Sequence, residues 1–366
     1  MGILAKLQKD KSISSYLERV NDQDESQIEH FSTGSFALNG ILSGDVYKGV
    51  PNNAITALVG PSNSSKSFIL AHLVKEEKKK GYEVLLFDSE RAVRKSYYEQ
   101  IGCNTENLYR VPVGSVTSLK HKSYKLIREF YEKASDKDKL FVGVDSMGNL
   151  ASIKELADVE KEKNVADQGS RAKDENSAFR IISSLAIEYD FPLVMTNHTY
   201  AAIGDLFAQR EKISGGSKSI YNSHIILYFE RLTNKEEVKD ALGKTSKQPV
   251  GIRMKITTLK NREYPEEKTV YLNLRYDTGL NPYSGLLQHA IRAGIIQNKS
   301  RGYLDVASGK TIFDKNLYTP EVFTEEALLK INEWLGKNGY SSLSDIFSDD
   351  VASALGEISN GEEKTE

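Results

Sequence analysis

Between about residues 31 and 285, short apolar runs alternate with stretches of helix-like character. The runs fall at 54–59, 84–87, 140–144, 193–196, 225–229, 251–257 and 270–274. The early runs are nearly continuous in apolar residues, which predicts parallel strands covered by helices on both faces. Several of them end in polar residues: Asp88-Ser89-Glu90, Asp145-Ser146 and Asn197-His198. In open α/β sheets ligands bind beyond the carboxyl ends of strands, so these endings are candidate chemistry.

The flanks read differently. In residues 1–30, Ile13, Tyr16, Leu17 and Val20 recur at i, i+3, i+4 and i+7, the spacing of one helical face, and a polar linker follows at 21–26. A lone helix of this size is marginal in water, so that face needs a partner, either the chain's own core or a neighbouring subunit. After residue 286 come helical stretches, including 325–335. From Asp345 to Glu366 there are seven acids against one lysine. The expected organisation is an arm at 1–30, an α/β core at 31–285 and a small C-terminal region at 286–366.

Composition narrows the class without naming it. Hydrophobic residues at 39% and charged residues at 27% of a 366-residue chain describe an ordinary soluble globular protein. No apolar run approaches a membrane span, and the N-terminus has no signal-peptide pattern. Met1-Gly2 opens like a myristoylation site, but Lys6 stands where that motif needs Ser or Thr. One cysteine, Cys103, excludes an intrachain disulfide and a cysteine-rich metal site. A cytoplasmic protein is expected, with no membrane partner. The charge balance, 49 − 51 = −2, announces no polyanion in bulk, though a local basic patch can still bind one.

The sharpest motif is Gly60-Pro61-Ser62-Asn63-Ser64-Ser65-Lys66-Ser67. It fits the phosphate-loop pattern G-x-x-x-x-G-K-[ST] between a strand and a helix that begins near Ser67 and Phe68. Such a loop turns backbone N–H groups toward phosphates, aided by the helix N-terminus. Lys66 would reach the β- and γ-phosphates of ATP, and the Ser67 hydroxyl would ligate Mg²⁺. Ser65 replaces the second glycine, which restricts the backbone where glycine would be free. Asp145 closes the run at 140–144, where a carboxylate can hold magnesium through its water shell. Glu90 follows the run at 84–87 and could orient and deprotonate an attacking water. His198 reads either as a γ-phosphate sensor or as a hydrogen-bonded structural histidine.

With these residues in place, the chain resembles the RecA family, in its branch of UvsX-type recombinases of T-even-like phages. The resemblance spans about residues 30–290. It rests on Ser32-Thr33-Gly34-Ser35, Asp88-Ser89-Glu90, Asp145-Ser146-Met147-Gly148-Asn149-Leu150, Asn197-His198-Thr199-Tyr200 and Asn281-Pro282-Tyr283-Ser284-Gly285-Leu286-Leu287. That branch tolerates a non-glycine before the P-loop lysine, as at Ser65.

The resemblance implies a RecA-type P-loop ATPase core, a mostly parallel twisted sheet flanked by helices. Tyr97 would stack on adenine. The segment from Leu150 to about Arg171 resembles a first DNA loop, and 199–219 a second, with Arg171 of the first and Arg210, Lys212, Gly215, Gly216, Ser217 and Lys218 of the second as DNA contacts. Lys260 and Arg262 match paired cations that reach the ATP of an adjacent subunit. The arm would dock on a neighbour, building a helical filament on single-stranded DNA that tests double-stranded DNA. A single-stranded-DNA-binding protein and a loading mediator are implied as partners. The residues alone leave alternatives: 199–219 has acids opposing its cations, and Lys260-Asn261-Arg262 could be a solvated hairpin turn. The acidic tail reads as a solvated run or as a gate over a DNA groove. Two rivals share the nucleotide parts, a hexameric RecA-fold helicase and a RecA-like accessory protein without turnover.

Overall fold

The computed structural model describes residues 28–161, 170–200, 212–213, 222–239, 245–276 and 278–338. Most of the N-terminal arm, the acidic tail, residues 162–169 and most of 199–219 lie outside the described residues. In chain order the elements that build the core are β1 (His30–Phe31), α1 (Phe36–Ser43), β2 (Val50–Pro51), β3 (Ile55–Gly60), α2 (Lys66–Lys79), β4 (Glu83–Asp88), α3 (Lys95–Gln100), β5 (Leu108–Pro112), α4 (Val116–Lys133) and β6 (Leu140–Asp145). A single turn of 3₁₀ helix, Met147–Asn149, leads into α5 (Ile153–Glu160) and α6 (Ser170–Tyr189). Then come β7 (Leu193–Tyr200), β8 (Lys212–Ile213), β9 (Ile225–Lys239), β10 (Thr245–Asn261), β11 (Thr269–Arg275), β12 (Gly279–Leu280), α7 (Leu287–Arg292), a small three-stranded sheet at 296–312 and α8 (Glu325–Asn338).

The apolar runs become the interior of one ten-stranded sheet, in the order β12-β11-β10-β9-β3-β7-β6-β4-β5, with β8 paired to β7. From β9 to β5 the neighbours are parallel; β9 to β12 add an antiparallel extension. Every residue of β3 and of β6 is buried. Successive side chains face opposite ways, so Leu86 and Phe141 enter one core cluster while Phe87 and Val142 enter another. This is why the pattern is continuous rather than alternating: both faces are covered. Each such large side chain contributes roughly 1.5–3 kcal/mol of transfer free energy.

The covering helices follow from their own periodicity. In α4, Val116, Leu119, Ser123 and Ile127 are buried, and Ser115 caps the start by accepting from the Ser118 N–H at 3.2 Å. In α6, Ala178, Phe179, Ile182, Leu185 and Ala186 face the same cluster. The expected loop after Leu150 contains a helix instead. Ser152 and Glu155 form a reciprocal capping box that starts α5, the local reason for the helix.

Residues 286–338 are not packed as a separate unit. Leu286, Ile296, Phe323, Ile331 and Leu335 belong to the same buried cluster as Leu38, Leu70 and Met254. Asn332 pins α8 to the turn after α1, accepting from the Val46 N–H at 2.7 Å and donating to Asp45 at 3.0 Å.

Candidate functional site

The phosphate loop leaves β3 at Gly60 under tight constraint. A Cβ on Gly60 would stand 2.3 Å from the Phe229 carbonyl oxygen, so only glycine fits against β9. The loop ends at Ser65, whose φ of 71° and ψ of 23° are left-handed; this is the conformation for which glycine is usual. The Ser65 side chain does not cap α2, and the first turn carries no acid. The first N–H groups of α2 therefore open onto the loop rather than onto a side-chain cap, an arrangement suited to an anion. Lys66 is buried and its Nζ donates to the Gly60 and Pro61 carbonyls, each at 2.8 Å.

Strand register assembles the rest. Gly60 lies beside His198 across the β3–β7 pair, and Asp88 beside Asp145 across β4–β6. The ends of β4 and β6 are stapled: the Ser89 hydroxyl donates to the Ser146 carbonyl at 2.8 Å and accepts from the Ser146 N–H at 2.9 Å. Buried Asp88 shapes the next turn. Its carboxylate accepts from the N–H groups of Glu90, Ala92 and Val93, and pairs with Arg110 Nε at 2.5 Å. Glu90 is thereby aimed across the strand ends, where its Oε1 meets Ser146 Oγ, Asn149 Nδ2 and His198 Nε2, each at 2.7 Å. The His198 bond, outweighing partial burial, holds the Glu90 carboxyl below its ordinary range. Burial pushes Asp145 upward, opposed by hydrogen bonds from Thr196, at 2.5 Å, and from Ser67. A cleft of about 350 Å³ runs from Asn63 and Ser67 past Glu90, Asp145 and His198 to Arg231, Ile252 and Tyr276.

The sequence model described as the RecA N-terminal domain matches residues 3–281. The chain belongs to the RecA family. This RecA-family chain is 28% identical over 282 residues to the recombination and repair protein of Enterobacteria phage T4, covering 75% of this chain and 68% of the relative. It is 25% identical over 348 residues to protein RecA of Campylobacter hominis, covering 93% of each chain. A third relative, protein RecA of Rubrobacter xylanophilus, is 26% identical over 279 residues, 76% of this chain and 75% of the relative.

Within this RecA-family fold the expected site residues divide into groups. The cleft brings together Asn63, Ser64, Ser65, Lys66, Ser67, Glu90, Asp145 and His198. Ser62 joins them through a 3.4 Å contact between its hydroxyl and His198 Nδ1. Phe68 and Tyr97 lie outside the cleft lining: both pack against the main core, Phe68 beside His72 and Tyr97 edge-on to Tyr98. Arg171 is engaged within the chain, donating to Glu175 at 2.9 Å and to the Gly148 carbonyl. Lys212 begins β8 and pairs with Tyr200, so the chain that leaves after His198 returns alongside it. Arg210, Gly215, Gly216, Ser217 and Lys218 lie outside the described residues.

Lys260 and Arg262 stand at the far end of the sheet. Lys260 pairs with Ile226 and Asn261 with Ile225, which itself pairs with Thr56 at the start of β3. The phosphate loop begins at the other end of β3, roughly 13 Å along the strand at about 3.3 Å per residue. Burial and the neighbouring Arg262 lower the Lys260 pKa.

The cleft residues missed from sequence are Arg231, Ile252 and Tyr276, together with Asn149 and Thr196 beside the acids. Arg231 reaches the Asn63 carbonyl at 3.5 Å from 168 positions away. Asn149 and Thr196 carried a signal, since Asn149 stands in the segment 145–150 that carries the resemblance and Thr196 is the polar residue that closes the run at 193–196.

Proposed function

We propose that this chain is a DNA-dependent ATPase and strand-exchange recombinase, forming a helical filament on single-stranded DNA and pairing it with a homologous duplex in recombination and repair. The observation that carries this is the separation of the phosphate-loop cleft from the Lys260/Arg262 pair. Lys66, Glu90, Asp145 and His198 share a cleft at one end of the parallel strands, while the Lys260/Arg262 pair lies at the other end of the sheet, outside that cleft. Cations so placed would complete a nucleotide site on a second copy stacked head to tail, and a heterologous contact of that kind repeats into a filament.

The chemistry follows from the side chains. Phosphoryl transfer needs positioning and charge stabilisation more than strong covalent help. The N–H groups of the loop and α2 would bind the phosphates, and Lys66 would move from the loop carbonyls to the β/γ-phosphates. With Oε1 of Glu90 held by three donors, Oε2 is the oxygen left to accept from a water and line it up. A lowered pKa makes Glu90 a better orienter than base, which a dissociative transfer tolerates. Tyr276, 56% exposed at the cleft edge, offers a ring to the nucleobase.

Mg²⁺ fits the donor set. Ser67 and Asp145 are hydrogen-bonded to one another, and among the described residues no cluster of three or more His, Cys, Asp or Glu side chains forms a cage. A hard cation held by a hydroxyl, a carboxylate, waters and substrate phosphates suits such a pair. When bound, it would neutralise charge on the β- and γ-phosphates. His198 touches both Ser62 of the loop and Glu90, so a γ-phosphate arriving there would shift Glu90 and the segment that follows β7 together.

The deciding measurement is ATP hydrolysis with and without single-stranded DNA, for the wild type, Lys66→Ala and Glu90→Ala. Hydrolysis stimulated by DNA and lost in both variants is the expected result. Closed rings in electron micrographs with DNA and ATP, without joint-molecule formation, would overturn the filament reading.

A further inference from the structure

Gly148 sits at a crossing of contacts that the reaction described above does not yet use. It is the middle residue of the Met147–Asn149 turn, three residues after the β6 carboxylate Asp145. A Cβ on it would come within 2.8 Å of Asn197 Oδ1 and 3.4 Å of the His198 ring, so its Cα lies flat against the end of β7. The next side chain, Asn149, donates to Glu90 Oε1 at 2.7 Å. Whatever fixes the Gly148 peptide therefore fixes one of the donors that aim Glu90.

What fixes it is Arg171. One arm of its guanidinium donates to the Gly148 carbonyl, while Nε donates to Glu175 Oε1 at 2.9 Å. The Glu175 side chain is only 3% exposed against 37% for Arg171, and its second oxygen has no partner among the described residues. A carboxylate buried with one cationic partner anchors that partner firmly, because separating them would strand a charge. The planar fork of arginine holds two acceptors at fixed angles, which a lysine ammonium on a flexible stem does not reproduce. The anchor is rigid as well, since Glu175 rides on α6, whose apolar face fills the core under β6 and β7.

We infer that Arg171 is a positioning residue for hydrolysis, clamping the Gly148 peptide so that Asn149 holds Glu90 in its productive orientation. The inference rests on the ATPase reading above. It also departs from a direct DNA contact for Arg171, because the fork is spent on Gly148 and Glu175.

The test compares Arg171→Lys, Asn149→Ala and the double variant, in the full chain with single-stranded DNA. Lysine keeps a charge near Glu175 and so protects the fold. Arg171→Lys is expected to lower kcat roughly ten- to a hundredfold, the scale of small misplacements of a reacting group, with KM for ATP and DNA affinity within about twofold. Asn149→Ala should behave alike, and the double variant should be no worse than either single one, because both act through one turn. Additive losses, or an unchanged kcat in Arg171→Lys, would overturn the proposal. So would a loss of DNA affinity with a salt slope reduced by about one, the mark of a lost phosphate contact. Amide hydrogen exchange is read in parallel: Arg171→Lys should speed exchange in peptides covering 147–150, and unchanged exchange overturns the clamp whatever the activity. If the wild type itself fails to hydrolyse ATP, the ATPase reading falls, and the exchange data still decide the clamp.

Discussion

His198 at the end of β7 and Glu90 beyond the end of β4 meet through one 2.7 Å contact between Nε2 and Oε1, although 108 positions separate them. Because Glu90 is held in its ionised form, Nε2 is the donor in this pair. His198→Gln keeps an N–H donor at similar reach and should retain most of the DNA-stimulated rate. His198→Ala removes the largest influence on Glu90, and steady-state kinetics should show kcat down by roughly a hundredfold with KM for ATP nearly unchanged.

Ser65 carries a left-handed backbone at φ 71° without capping α2 in return. That conformation costs an L-residue about 1–2 kcal/mol that glycine does not bear. Ser65→Gly should therefore raise the denaturant midpoint by the equivalent of about 1 kcal/mol at unchanged slope, with hydrolysis retained. A lower midpoint would mean that the serine makes a compensating contact.

Tyr276 lines the cleft while Tyr97, half-buried, packs against the core. Tyr276→Ala should raise KM for ATP about tenfold and leave kcat within about twofold, as expected for binding shared by ground and transition states. Tyr97→Ala should instead lower thermal stability, by roughly 1–3 kcal/mol for the loss of a half-buried aromatic ring.

Lys260 and Arg262 lie at the end of the sheet opposite the phosphate loop. A Lys260→Ala/Arg262→Ala protein and a Lys66→Ala protein should each be inactive alone. Mixed, they should regain hydrolysis, because some junctions pair an intact loop with intact cations. No recovery in a mixture that still forms filaments would place both halves in one subunit.

His289 is buried on α7, and burial first, then Arg292 and Lys268, pushes its pKa down to about 4. The unfolded chain takes up this proton near 6.5 while the folded chain resists it. Stability from this residue is thus full above 6.5 and lost as pH falls toward 4, by up to about 3 kcal/mol at roughly 1.4 kcal/mol per unit. Thermal melts of the wild type should show that acid loss, and His289→Leu should flatten it.

Much of this was legible along the chain because the relevant signals are local. A buried parallel strand must be apolar throughout, so β3, β4, β6 and β7 announced themselves, and the polar residues closing them marked the cleft. The edge strand β5 did not, because its residues are exposed or half-buried and carry no period. The hairpin of β9 and β10 outruns its apolar runs by many residues, since backbone pairing continues where burial has stopped.

The sequence by itself determined the phosphate loop, the acids that close neighbouring strands and the family that this order of motifs resembles. Each depends on residue type at a fixed local spacing. Only the tertiary structure decided which groups touch: that Glu90 gathers Ser146, Asn149 and His198 on one oxygen, that Tyr276 rather than Tyr97 lines the cleft, and that Arg171 turns inward to Gly148. Those outcomes depend on strand order and register. Order and register are set by how the whole sheet packs, a sum over contacts that no single segment contains.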